Sequence, residues 1–130
     1  MSRVLVIDDE RCLRVTFKHI LEEEGYEVYV AEDGKSGLEA CREVHPDLVI
    51  TDILMPIQDG FTTIDLLNQE FPKLPILAMS AAADSVGIDQ ALRSGATTFV
   101  QKPVDIVTLV RLVSELLASG TPPRKNGAGN

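Results

Sequence analysis

Residues 47–60, DLVITDILMPIQDG, constrain this chain more than any other stretch. Leu48-Val49-Ile50 is an apolar run with the length of a buried parallel strand, and Thr51-Asp52 closes it with polar groups. Pro56 and Gly60 both stop regular structure, so the segment between them reads as loop. Asp52 is then the first carboxylate past a buried strand, the place where open α/β sheets put their ligands. Taken alone, such an aspartate could equally end a strand and help to start the next helix. Met55, apolar and next to Pro56, reads equally well as packing. The positions of the other charged residues decide between these readings.

Five short apolar runs alternate with five longer periodic stretches. The strand candidates are residues 4–7, 28–31, 48–50, 76–79 and 98–100. Leu13, Phe17, Ile20 and Leu21 recur at helical spacing before Gly25. A second helix starts near Asp33-Gly34, carries Leu38, Cys41 and Val44, and ends at His45-Pro46. A third presents Phe61, Ile64, Leu67 and Phe71 before Pro72 and Pro75. The fourth, from about 84 to 94, contains Gly87 and few large apolar residues, and it is expected to be the least stable. The fifth is expected to open at Pro103 and run to about Ala118. Its arc of Ile106, Leu109, Val110, Leu112, Val113, Leu116 and Leu117 lies opposite Thr108, Arg111, Ser114 and Glu115. Such alternation implies right-handed crossovers and a parallel sheet covered on both faces, a three-layer α/β/α sandwich.

Residues 1–118 form one expected domain, and 119–130, rich in Gly and Pro, read as a tail or the start of a linker. Twelve basic residues against twenty acidic ones leave a formal net charge of −8, which argues against direct nucleic-acid binding and suits a carboxylate site for a cation. Cys12 and Cys41 have no framework spacing, so a disulfide is not expected and a reducing cytoplasm is. MSRVLVIDD is not a signal peptide, and no apolar run has membrane-spanning length. His19 and His45 are single histidines on helices and read as solvated surface residues.

Asp8-Asp9 follow the first run, Asp52 the third, Ser80 the fourth and Lys102 the fifth. A parallel sheet brings those carboxyl ends to one edge. Three acids so close repel one another and call for a divalent cation or shifted pKa values. An all-oxygen set suits Mg²⁺. The bland alternatives are an Asp8-Asp9 cap on the first helix, a surface Lys102 and a turn at Ser80.

The blocks VLVIDDE, DLVITDILMPIQDG, LAMSA and GATTFVQKP, in this order, resemble the receiver domain of two-component response regulators, CheY-like, over residues 4 to about 118. The resemblance implies a flavodoxin-like, doubly wound five-stranded parallel sheet of order 2-1-3-4-5. It makes Asp52 the acceptor of a phosphoryl group from a bacterial sensor histidine kinase or histidine phosphotransfer protein. Asp8, Asp9, Asp52 and the backbone carbonyl of Leu54 would hold Mg²⁺, with Mn²⁺ able to substitute. Lys102 would pair with the acyl phosphate and Ser80 would donate a hydrogen bond to it. Ser80 and Phe99 would form the switch, although an aromatic in a strand also reads simply as core. The Lys102-Pro103 bond would be cis. Such a domain is not a classical enzyme: it phosphorylates itself with Mg²⁺ and loses the phosphate slowly. Downstream, the resemblance implies an effector or output domain outside this chain and allows a homodimer on phosphorylation.

Ser80 replaces the family's more usual threonine. Leu54 and Ala82 offer no group to hold an attacking water, so a long-lived phosphate is expected. Two rival classes lack their residues. A phosphatase-type aspartyl enzyme needs a second acid two positions after Asp52, where Leu54 stands. A flavodoxin-like cofactor binder needs a Ser/Thr/Gly phosphate loop after the first strand, where Asp8-Asp9-Glu10 stands. A phosphorylation-independent binding module on the same fold is the remaining alternative.

Overall fold

The apolar runs become the strands of one parallel sheet, and the periodic stretches become helices on both of its faces. The structure is a computed structural model that describes residues 1–53, 59–81 and 85–118. In chain order the elements are β1 (Arg3–Ile7), α1 (Arg11–Glu23), β2 (Glu27–Ala31), α2 (Gly34–Val44), β3 (Leu48–Asp52), α3 (Gly60–Glu70), β4 (Ile76–Ser80), α4 (Ser85–Ser94), β5 (Thr98–Gln101) and α5 (Ile106–Ala118). All strand pairs are parallel, in the order β2-β1-β3-β4-β5. The central strands β3 and β4 are buried end to end and β1 from Val4 onward, which is why they read as continuous apolar runs. The edge strands β2 and β5 are only partly covered.

Side-chain alternation sorts the core into two layers. Leu5, Ile7, Val49, Ile76 and Ala78 pack with Leu38 and Cys41 of α2, Ile64 and Leu67 of α3 and Ala91 of α4. Val4, Val6, Leu48, Ile50, Leu77 and Met79 pack with Phe17 and Leu21 of α1 and Leu109 and Val113 of α5. Each large aliphatic side chain so buried stabilises the fold by about 1.5–3 kcal/mol. Ala91 is the one fully buried residue described on α4, where Val86 and Leu92 face solvent.

Local chemistry sets the helix ends. Asp33 accepts from the Ser36 amide at 2.8 Å, and Asp59 accepts from the Thr62 amide at 2.9 Å. His45 closes α2 in a left-handed conformation, φ 54°, with Pro46 behind it. Gly95, at φ 125°, closes α4. The helix expected to open at Pro103 instead starts at Ile106. Asp105 is the stronger start signal, because its carboxylate accepts from both the Thr108 amide and hydroxyl, at 2.8 and 3.0 Å. Consequently Ile106 and Val107 are exposed in the first turn, and Ile106 is not part of the buried arc.

Cys12 is exposed and Cys41 buried, both free, and burial pushes the Cys41 thiol up to about 12. His19 and His45 are both exposed; His45 stands edge-on to Phe71 and His19 lies 3.7 Å from Glu23. Among the described residues no helix is long and apolar enough to cross a membrane.

Candidate functional site

Strand alternation aims three of the expected site residues the same way. Val4, Val6 and Asp8 share a side of the sheet, as do Leu48, Ile50 and Asp52 and, on β5, Val100 and Lys102. Two carboxylates and an ammonium therefore converge at the carboxyl edge, above the α1/α5 layer. Lys102 Nζ lies 2.9 Å from Asp8 Oδ2 and 3.4 Å from Asp52 Oδ2. Asp8 is completely buried, and Asp52 is 4% exposed. Asp9 is exposed, yet Asp8, Asp9 and Asp52 each offer an oxygen within 4.8 Å of the others'.

The backbone holds this cluster from several directions. The Asp8 amide extends the sheet ladder by donating to the Ala31 carbonyl at 3.1 Å. Asp8 Oδ1 accepts from the Glu10 amide at 2.8 Å, and its carbonyl accepts from Arg14 Nη1 at 2.8 Å. Asp8 therefore shapes the turn that precedes α1, while the cap position itself is Glu10, whose side chain makes no capping bond. Beyond Asp52, the Ile53 amide donates to the Met79 carbonyl at 2.9 Å and the Gly60 amide donates to the Ile53 carbonyl at 2.8 Å. Gly60 is required by that close approach: a Cβ there would fall 2.3 Å from Ile53 Cα and 2.5 Å from the Asp52 carbonyl oxygen. The Lys102 amide donates to the Ser80 carbonyl at 3.0 Å, and the Lys102-Pro103 peptide is cis.

Asp52 has its pKa raised, first by burial and then by the Asp8 and Asp9 charges, against the lowering effect of Lys102. For Lys102, burial pulls the value down, but the Asp8 and Asp52 carboxylates prevail and the net shift is upward. Asp8 Oδ2 has the ammonium 2.9 Å away as an ion pair but accepts no hydrogen bond. A buried carboxylate oxygen without a hydrogen bond, next to two more carboxylates, is a donor set that fits a hard divalent cation.

Ser80 ends β4, 3% exposed, on the opposite side of the sheet from Asp52. Phe99 pairs with Ala78 in register, is half-buried, and packs against the layer that contains α3 and α4. Ser80 and Phe99 thus share a face, two residues apart along it. Leu54, Met55, Pro56 and Ala82 lie outside the described residues, as does 119–130. The sequence offers no reason to single out Arg14, and it marks Glu10 only as the end of the Asp8-Asp9-Glu10 run. Glu10 Oε1 stands 3.4 Å from Lys102 Nζ, and the only sequence signal for it is a third acid directly after Asp9.

A cavity of about 480 Å³ adjoins the cluster, lined by Glu10, Lys102 and Pro103 on one side and by Cys12, Leu13 and Phe17 of α1 on the other. Another, of about 520 Å³, opens among His45, Phe71, Pro75 and Leu116 and shares no residue with the acidic cluster.

The response regulator receiver domain family matches residues 4–114. Transcriptional regulatory protein CseB of Streptomyces coelicolor is 33% identical over 132 aligned positions, which cover 98% of this chain and 56% of that protein. An uncharacterized 14.6 kDa protein of Leptolyngbya boryana is 37% identical over 122 positions, 92% of each chain. The chain spans about half the length of several curated relatives it matches. Chemotaxis protein CheY4 of Vibrio cholerae superposes with a TM-score of 0.86 at 28% identity, covering 89% of this chain and 98% of that one. With sheet order, acidic edge and sequence relationship in agreement, this chain belongs to the receiver-domain family of two-component response regulators.

Proposed function

We propose that this receiver domain takes a phosphoryl group onto Asp52 and switches a partner surface as a result. The observation that carries the reading is the burial of Asp52 beside two further carboxylates, with the Lys102 ammonium 3.4 Å from its Oδ2. Burying clustered carboxylates costs folding stability that the Lys102 pairing only partly offsets. A reaction that brings a phosphoryl group to Asp52 accounts for the arrangement.

Asp8, Asp9 and Asp52 would hold Mg²⁺, or Mn²⁺ in its place, together with the Leu54 carbonyl, which lies outside the described residues. The cation supplies charge neutralisation, without which a carboxylate is a poor nucleophile toward an anionic phosphoryl donor. Asp52 contributes the attacking oxygen, and its burial excludes competing water. Lys102 keeps a fixed positive charge where negative charge grows during in-line transfer, and afterwards pairs with the acyl phosphate. Ser80, on the neighbouring strand end, donates to the new phosphoryl oxygens. Its movement frees space on the face it shares with Phe99, and inward rotation of that ring alters the α4/β5/α5 surface.

The donor in this reading is a sensor histidine kinase or a histidine phosphotransfer protein in the cytoplasm. The receiver of the change is an output domain or separate effector, and a phosphorylation-linked homodimer is a further consequence to examine. The chain turns over slowly, losing its phosphate by hydrolysis, and so works as a switch.

Intact-mass spectrometry after incubation with acetyl phosphate, with and without Mg²⁺, tests this on the chain and on Asp52→Ala. One labile, Mg²⁺-dependent phosphoryl adduct, absent from the variant, is expected. A folded chain that forms no adduct with Mg²⁺ present would leave a phosphorylation-independent binding module of flavodoxin-like fold as the function.

A further inference from the structure

Glu10 approaches the ammonium that serves Asp52. Its Oε1 lies 3.4 Å from Lys102 Nζ, the same distance as Asp52 Oδ2, while Asp8 Oδ2 lies at 2.9 Å. Three carboxylates thus crowd one ammonium, Glu10 through a hydrogen bond and Asp8 and Asp52 as ion pairs. The Glu10 side chain is 64% exposed, that of Asp52 6%, so one contact comes from the solvent side and the other from the interior. Glu10 also lines the cavity of about 480 Å³ that Lys102 and Pro103 line. An anion reaching the ammonium through that cavity meets the Glu10 charge on its rim. Glu10 takes no part in the Asp8/Asp9/Asp52 oxygen group.

We infer that Glu10 is a positioning and donor-selecting residue: it holds Lys102 toward the mouth of the site before reaction and disfavours small donors of high negative charge. This rests on the proposed role of Asp52. An incoming phosphoryl group competes with these three carboxylates for the Lys102 charge. The solvent-screened Glu10 contact is the weakest and yields first. In transfer from acetyl phosphate, the Asp52 oxygen forms a bond to phosphorus as the bond to the acetate oxygen breaks. The electron pair leaves with acetate, and no proton moves. The acyl phosphate then adds negative charge beside Lys102 and draws it away from Glu10. Before that point Glu10 opposes entry of the donor, and the opposition grows with donor charge.

The test measures the rate of adduct formation by intact mass at saturating Mg²⁺, for the chain, Glu10→Gln and Glu10→Asp. The donors are acetyl phosphate, a dianion at neutral pH, and phosphoramidate, a monoanion. Glu10→Gln should raise the second-order rate constant with acetyl phosphate about twofold to fivefold, the scale of an exposed charge pair. The gain should be smaller with phosphoramidate and should fade as salt is added. Half-saturation by Mg²⁺ should not change. Glu10→Asp keeps the charge at the rim and should retain the parent's donor preference. An unchanged rate, an equal change with both donors, or a fall in rate for Glu10→Gln overturns the role of Glu10. Those outcomes leave phosphorylation of Asp52 standing, whereas a parent chain that forms no adduct removes both.

Discussion

Replacing Asp52 with asparagine should make the folded chain more stable at neutral pH when no divalent cation is present. Three charges surround the buried oxygen pair of Asp52. At an effective dielectric near 20, Lys102 at 3.4 Å attracts the Asp52 carboxylate by about 5 kcal/mol. Asp8, within 4.8 Å, repels it by at least about 3.5 kcal/mol on the same scale, and exposed Asp9 adds a screened share. These pair contributions nearly cancel. What remains is the cost of burying a charge that is only 4% exposed, in line with burial being the first cause of its raised pKa. An amide of equal size avoids most of that cost, so Asp52→Asn should gain about 1–2 kcal/mol. For a chain of this size that is a rise in Tm of roughly 3–8 °C by thermal denaturation at pH 7 with a chelator present.

The pH dependence follows from linkage. The folded chain binds the Asp52 proton more tightly than the unfolded chain, whose value lies near 3.8. That contribution is fully present below the unfolded value and is lost as pH rises through the folded one. The variant's advantage should therefore be full at pH 7 and shrink as the solution is acidified through the folded pKa of Asp52. Saturating Mg²⁺ should reverse the order, since 100 times its Kd stabilises the parent by about 2.7 kcal/mol. A variant no more stable than the parent at pH 7 in chelator would refute the reasoning.

Three further outcomes are expected. Gly60→Ala forces a Cβ against the backbone of Ile53 and Asp52, which cannot swing aside; it should lose about 1–3 kcal/mol in urea unfolding and slow adduct formation as well, and a change under about 0.5 kcal/mol would contradict the packing account. Gly37→Ala meets the Ile7 side chain first, at 2.4 Å, so trimming it in Ile7→Val/Gly37→Ala should recover part of the loss; strict additivity in that double-mutant cycle would contradict it. Amide hydrogen exchange should be faster in α4, where Ala91 is the one fully buried residue described, than in α5, which buries Leu109 and Val113; equal protection would count against α4 as the mobile element.

Much of this molecule is determined by its sequence read locally. Uninterrupted apolar runs such as Leu48-Val49-Ile50 imply strands buried on both faces, because a strand with one wet face would alternate. Once the strands are parallel, Asp8, Asp52, Ser80 and Lys102 must lie along one edge, and the order β1-β3-β4-β5 then brings them together. The order itself came from family resemblance, since periodicity carries no information about which strand lies beside which. The tertiary structure alone decided three things. Asp105 outcompeted Pro103 for the start of α5, because a carboxylate with two donors from Thr108 stabilises a helix end more than a preset φ does. Arg14 anchors the Asp8 carbonyl, a contact that needs α1 docked in place. Glu10 meets Lys102 across 92 positions of chain. Burial leaves a periodic trace in sequence, whereas a contact between two polar side chains on separate elements is fixed only when the sheet edge closes around them.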